Sequence, residues 1–218
     1  GRVIVLLGNH EVMVMMGDLR YVDADDYRSF ADQHSEQVRT QAYAAYKKFI
    51  SARGNQRSSA NREEEALWQK FMADYPLGYF ERRDTFGPKG LYGRWLRQRD
   101  AVVQVGDVLF VHGGLNPALH FRQIKQLNDQ VHSDLANFDS LWQLLVDRGI
   151  IWRYMKLDEA TRQVLEAWRA IQLRGQVEDP IVARGMQKLL GIQGWMVFVP
   201  DSPIWYRGLA LQPEEDLR

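Results

Sequence analysis

The 218 residues are 45% hydrophobic and 26% charged, with 28 basic and 28 acidic side chains and no cysteine. Balanced charge leaves no net field to draw in nucleic acid or an anionic membrane, and the lack of cysteine excludes disulfides, a thiolate nucleophile and a thiolate metal site. No apolar stretch approaches the roughly 20 residues of a membrane span, so the composition is that of a soluble globular protein; cytoplasm and periplasm both stay open, as does the oligomeric state.

Val3-Ile4-Val5-Leu6-Leu7 has the length and β-branching of a strand buried on both faces, and it runs directly into Gly8-Asn9-His10-Glu11. From Asp23 to Arg53 the pattern predicts a helix, with Val38, Ala42, Ala45 and Phe49 recurring about once per turn and Gly54-Asn55 stopping it. A polar stretch leads to a second helix whose face carries Leu67, Phe71, Met72 and Tyr75. Residues 75–96, rich in Gly, Pro and aromatics, read as an ordered loop with a short helix. Apolar runs at 101–105 and 108–112 flank Gly106-Asp107 and predict a hairpin. Helical patterns follow at about 120–135, 140–148 and 158–173, and a fourth carries Val182, Met186 and Leu189. Residues 194–200 read as a last short strand or loop. This order suggests an α/β or α+β core decorated by helices.

A strand that ends in Gly-Asn-His places Asn9 and His10 at the carboxyl edge of a sheet, where open α/β sheets bind ligands. Asn9 offers a neutral oxygen donor, and His10 moves a proton near neutral pH. Val108–His112 followed by Gly113-Gly114 repeats the design: an apolar strand, a terminal His, then glycines that let backbone approach a ligand. A strand-terminal His before Gly also marks a plain turn with a hydrogen-bonded imidazole; two such ends in one chain point to a site. His34, His120 and His132 fall in helical patterns and read as surface or cap residues. The tryptophans read as core or lid packing. Tyr79, Phe80, Phe86, Arg82, Arg83 and Arg94 either pack their segment onto the core or line a substrate channel.

"LLGNHE" and "LFVHGGL" resemble the third and fourth signature blocks of the calcineurin-like metallophosphoesterases, within the phosphoprotein-phosphatase superfamily. "GDLRYV" (17–22), "YGRWL" (92–96) and "SPIWYRG" (202–208) are similar to the Shewanella-like branch. The resemblance implies a β-sandwich core flanked by helices, here one domain over 1–218, incomplete at both ends, with helical insertions at about 23–98 and 118–193. It implies a metal-dependent phosphatase acting on a phosphorylated small molecule or a phosphoprotein, with two divalent ions of Mn, Fe or Zn holding the phosphoryl group. A hydroxide bridging those ions attacks phosphorus in such enzymes. Carried over by position, Asn9 and His112 become ligands of one metal, His10 the general acid and Arg207 the phosphate clamp.

The family's GDxHG and GDxxDRG blocks and its late GH block are missing from this sequence. The expectation is therefore a piece of a longer enzyme, holding at most one weak metal site and inactive alone. Two rival readings stand beside it: a non-catalytic binding or scaffold module, and a nuclease or dinucleotide hydrolase of the same fold, to which the neutral charge gives no support.

Overall fold

The computed structural model describes residues 3–53, 61–119, 123–175 and 177–211. Gly54-Asn55 and His120, read above as a helix stop and a cap residue, lie outside them. Of the described residues 59% are helical and 4% lie in strands, which overturns the expected architecture. The strands β1 (Val102–Val105) and β2 (Val108–Val111) form one antiparallel pair turning through Gly106-Asp107. Among the described residues there is no β-sandwich for the helices to flank.

The run Val3–Leu7 is irregular rather than a strand. Val3, Ile4 and Val5 are 87%, 47% and 37% exposed, while Leu7 is buried. Leu7 N–H donates to Asp100 C=O at 2.9 Å, just ahead of the hairpin. A β-branched run becomes a strand only where a neighbour takes its backbone groups. Here β1 and β2 bond each other, and no further strand stands beside residues 3–7 among those described.

The helix begins where the strand was expected to end, as α1 (Asn9–Met16), closed by Gly17 in the left-handed region at φ 81°. The single helix expected over Asp23–Arg53 is two, α2 (Ala24–Arg28) and α3 (Ser35–Ala52). The Asp32 carboxylate accepts from His34 N–H at 2.7 Å, the kind of local bond that interrupts a helix. After α4 (Asn61–Asp74), residues 75–96 fold as α5 (Tyr79–Phe86) and α6 (Leu91–Leu96). The patterns at 120–135 and 140–148 are one helix, α7 (Ile124–Asp147). Then come α8 (Leu157–Arg174), α9 (Pro180–Leu190) and α10 (Gly208–Leu211). Residues 194–200 hold turns, not a strand.

Two packing units position the rest. In the first, Phe71 of α4 lies 4.7 Å from the Tyr75 ring, 5.1 Å from Tyr43, 5.4 Å from Tyr46 and 6.0 Å from Trp152. Rings tilted or edge-on at these separations are favourable beyond their buried area. In the second, α7 lies on α9 over Gly185, where an added Cβ would sit 3.2 Å from Leu144 and 3.3 Å from Leu141. Asn128 of α7 then fastens the hairpin. Its Oδ1 accepts from Ala101 N–H at 3.0 Å and Val102 N–H at 3.1 Å, and its Nδ2 donates to Val102 C=O at 2.8 Å. Arg97, after α6, forks onto Asp139 of α7 at 2.7 and 2.8 Å. Among the described residues no helix is long and apolar enough to cross a membrane.

Asn128→Ala strips partners from two buried N–H groups and a C=O, so it should cost about 2 kcal/mol or more in urea unfolding. A cost near zero would mean water replaces the amide. Burial also makes the chain alkali-sensitive. It pushes Tyr75 and Tyr79 well above the usual phenol range and, with the Asp84 carboxylate beside it, holds Tyr154 up to about 12. Below the ordinary value of 10.0 both folded and unfolded chains keep these protons. Above it the unfolded chain ionises first, so stability falls as pH rises towards about 12. Melting scans from pH 8 to 12 should show a falling Tm above pH 10, with a subset of tyrosines ionising only on unfolding.

Candidate functional site

Gly8 N–H donates to Glu11 Oε2 at 3.0 Å, so the carboxylate folds back over the first turn of α1 and leaves Asn9 facing outward. His112 leaves the end of β2 and brings Nε2 within 2.9 Å of Asn9 Oδ1. The approach depends on the absence of a side chain at Gly8, where a Cβ would lie 2.6 Å from Glu11 Oε2 and 2.8 Å from His112 Nδ1. Asn9 and His112 thus meet, though Asn9 belongs to a helix start and not to a strand end.

Arg207 stands on the other side of the same turn. Gly113 N–H donates to Pro203 C=O at 2.8 Å, which ties the two segments together. A Cβ on Gly113 would lie 2.6 Å from Arg207 Nη1. Ile204 is buried and Trp205 Nε1–H donates to Val197 C=O at 2.7 Å, so the arginine rises from an anchored segment. Its guanidinium is exposed and donates only to Tyr206 C=O at 3.1 Å among the described residues. Asp201, the carboxylate nearest in sequence, accepts instead from Asn116 at 2.7 Å.

His10 faces elsewhere. Its ring stacks on Tyr21 at 5.0 Å and 16°. It lines a cavity of about 230 Å³ with Asp18, Tyr21, Asp26, Arg82 and Phe86, and Asn9, His112 and Arg207 take no part in that lining. Three of the four sequence-predicted residues therefore gather around Gly8 and Gly113, and the fourth opens on an adjacent space.

Two donors held by one ion at about 2.1 Å and at right angles lie roughly 3 Å apart. The 2.9 Å between Asn9 Oδ1 and His112 Nε2 suits that as well as it suits a hydrogen bond. An amide oxygen and an imidazole nitrogen both suit Mn, Fe or Zn. They fit two positions of one ion. Among the described residues no group of three or more His, Cys, Asp or Glu side chains could hold a metal.

Arg82 was read in sequence only as a packing or channel residue, yet it is 7% exposed with its Nε unpartnered. Burial lowers its affinity for the proton. A doubled arginine on an amphipathic helix carries no signal of which member turns inward. A larger cavity of about 470 Å³, walled by Arg83, Lys89, Phe138, Trp142 and Arg153, contains none of the four predicted site residues. No family model matches the chain, and no solved structure matches it.

The two glycines differ in what blocks them. At Gly8 the atoms in the way are side-chain ends that can swing; at Gly113 they include Pro203 and Tyr206 carbonyls at 2.7 and 2.9 Å. Gly113→Ala should therefore cost about 1–3 kcal/mol in chemical unfolding, and Gly8→Ala clearly less. Equal costs would show that the imidazole is as fixed as the backbone.

Proposed function

We propose that this chain forms part of a metal-dependent hydrolase of phosphomonoesters, acting on a phosphorylated small molecule or a phosphoprotein. The observation that supports it is the 2.9 Å approach of Asn9 Oδ1 and His112 Nε2 between segments a hundred residues apart, with Arg207 alongside. Asn9 Oδ1 and His112 Nε2 are atoms that bind metal, and the Arg207 fork, against Gly113, is a group that binds anions. The ion, when bound, supplies Lewis-acid polarisation of a phosphoryl oxygen. Asn9 and His112 would hold it, and further donors belong to the Gly-Asp blocks that this sequence does not carry.

The remaining work falls to the chain's own groups. Arg207 has no carboxylate partner among the described residues, so its fork is free to take two equatorial oxygens of a phosphoryl group. His10 follows Asn9 on the first turn of α1 and opens on the neighbouring cavity. With a phosphoryl group held at Asn9 and His112 and its ester oxygen turned towards that cavity, His10 would give that oxygen a proton as water's oxygen bonds to phosphorus and the ester P–O bond breaks. The Tyr21 ring holds the imidazole plane in place.

Manganese titration by calorimetry should give weak, saturable binding that disappears in His112→Ala. In the hydrolase that contains this chain, His10→Asn should lower turnover of alkyl phosphates by about 10²–10⁴-fold with metal content unchanged. The deficit should shrink for p-nitrophenyl phosphate, whose leaving group needs no proton. Arg207→Lys should reduce kcat/KM with the metal retained, because a point charge replaces a fork. Full phosphatase activity in His112→Ala would sink the reading; metal loss in His10→Asn would make His10 a ligand instead.

A further inference from the structure

We infer that the cavity beside His10 is a binding site for a small oxyanion carried on an apolar body, with the Arg82 guanidinium as its receptor. The inference rests on this cavity alone and does not need the metal at Asn9 and His112.

Arg82 projects from the middle of α5 and is 93% buried, given its 7% exposure. An arginine taken out of water normally gains a carboxylate or a set of carbonyls in return. This one has neither: among the described residues no side-chain hydrogen bond or ion pair involves Arg82, and its Nε is buried without a partner. Its neighbours are aromatic faces, with the guanidinium carbon 5.0 Å from the Phe86 ring centre, 5.8 Å from Tyr27 and 5.9 Å from Phe30. Rings hold a cation in position but offer its N–H donors no oxygen acceptor.

Those donors border the cavity of about 230 Å³ that also exposes His10, Tyr21, Met13, Val14 and Val22. The carboxylates of the same cavity are engaged elsewhere. Glu11 accepts from Gly8 N–H at 3.0 Å, Asp18 is forked by Arg20 at 2.7 Å, and Asp26 accepts from Asp23 N–H at 3.2 Å. None reaches Arg82 within ion-pair distance, although the Asp26 charge acts on it through space. What Arg82 lacks is thus an acceptor with two oxygens, and the surrounding Phe86, Val14 and Met13 favour an apolar group attached to it. Carboxylate and phosphate share this chemistry.

The test titrates phenylphosphonate and, separately, benzoate into the chain with chelator present, following Tm and the arginine Nε–H resonances. Saturable binding of either probe should raise the wild-type Tm, and affinity should drop roughly tenfold to a hundredfold in Arg82→Met. Preference for phenylphosphonate assigns a phosphate-type ligand; preference for benzoate assigns a carboxylate. Because chelator is present throughout, a failed metal titration leaves this result standing. No response to either probe, or an equal response in Arg82→Met, overturns the inference. Should Arg82→Met not fold, Arg82→Lys replaces it, and a wild-type crystal soaked in 4-bromophenylphosphonate must show oxygen density against the Arg82 guanidinium.

Discussion

The buried amide of Asn128 is what the candidate site depends on. A two-stranded hairpin is marginal by itself, and here Val105, Val108, Leu109 and Phe110 are 51%, 55%, 41% and 50% exposed. Its stability has to come from what its base is tied to. Asn128 supplies that tie with three bonds from the long helix α7 to Ala101 and Val102. The backbone bond from Leu7 to Asp100 joins the same junction to the segment entering α1. With both segments fastened within two residues of each other, their ends at Asn9 and His112 have little choice but to meet.

Around that junction the helices supply mass rather than chemistry. The aromatic cluster about Phe71 and Trp152 and the close α7–α9 contact at Gly185 bury apolar surface, and they leave the donor pair and Arg207 on the outside. Among the described residues, buried polar atoms without an internal partner occur at Arg39, Tyr43, Arg82, Arg83 and Ser202, and of these Arg82 alone lines the cavity beside His10. An unpaired polar group is costly to bury, and a ligand entering that cavity would supply the Arg82 guanidinium with its missing acceptor.

Much of this was legible in the residues. Two short β-branched runs around Gly-Asp marked the hairpin, and the spacing of Val182, Met186 and Leu189 marked α9. The glycines after His112 were singled out as backbone approaches, and Gly113, like Gly8, proves to be a position where a side chain would collide. The β-sandwich was not there to be read. Val3–Leu7 has a strand's composition, but composition does not say whether another strand is present to bond it. The helix over 124–147 was split because the polar Asn137 and Asp139 flank Phe138 at its middle, where the apolar stripe narrows. Arg82 escaped because burial of an arginine among rings is a tertiary event with no periodic signature.

On the proposed function, Asn9 and His112 form two positions of one divalent-ion site. Paramagnetic broadening of the amide spectrum by substoichiometric manganese tests it most directly, since broadening falls off steeply with distance from the ion. The resonances of Gly8 to Glu11 and of Val111 to Gly114 should broaden first and together. Broadening centred instead on exposed carboxylates such as Asp25 or Asp129, with those two segments left sharp, would contradict it.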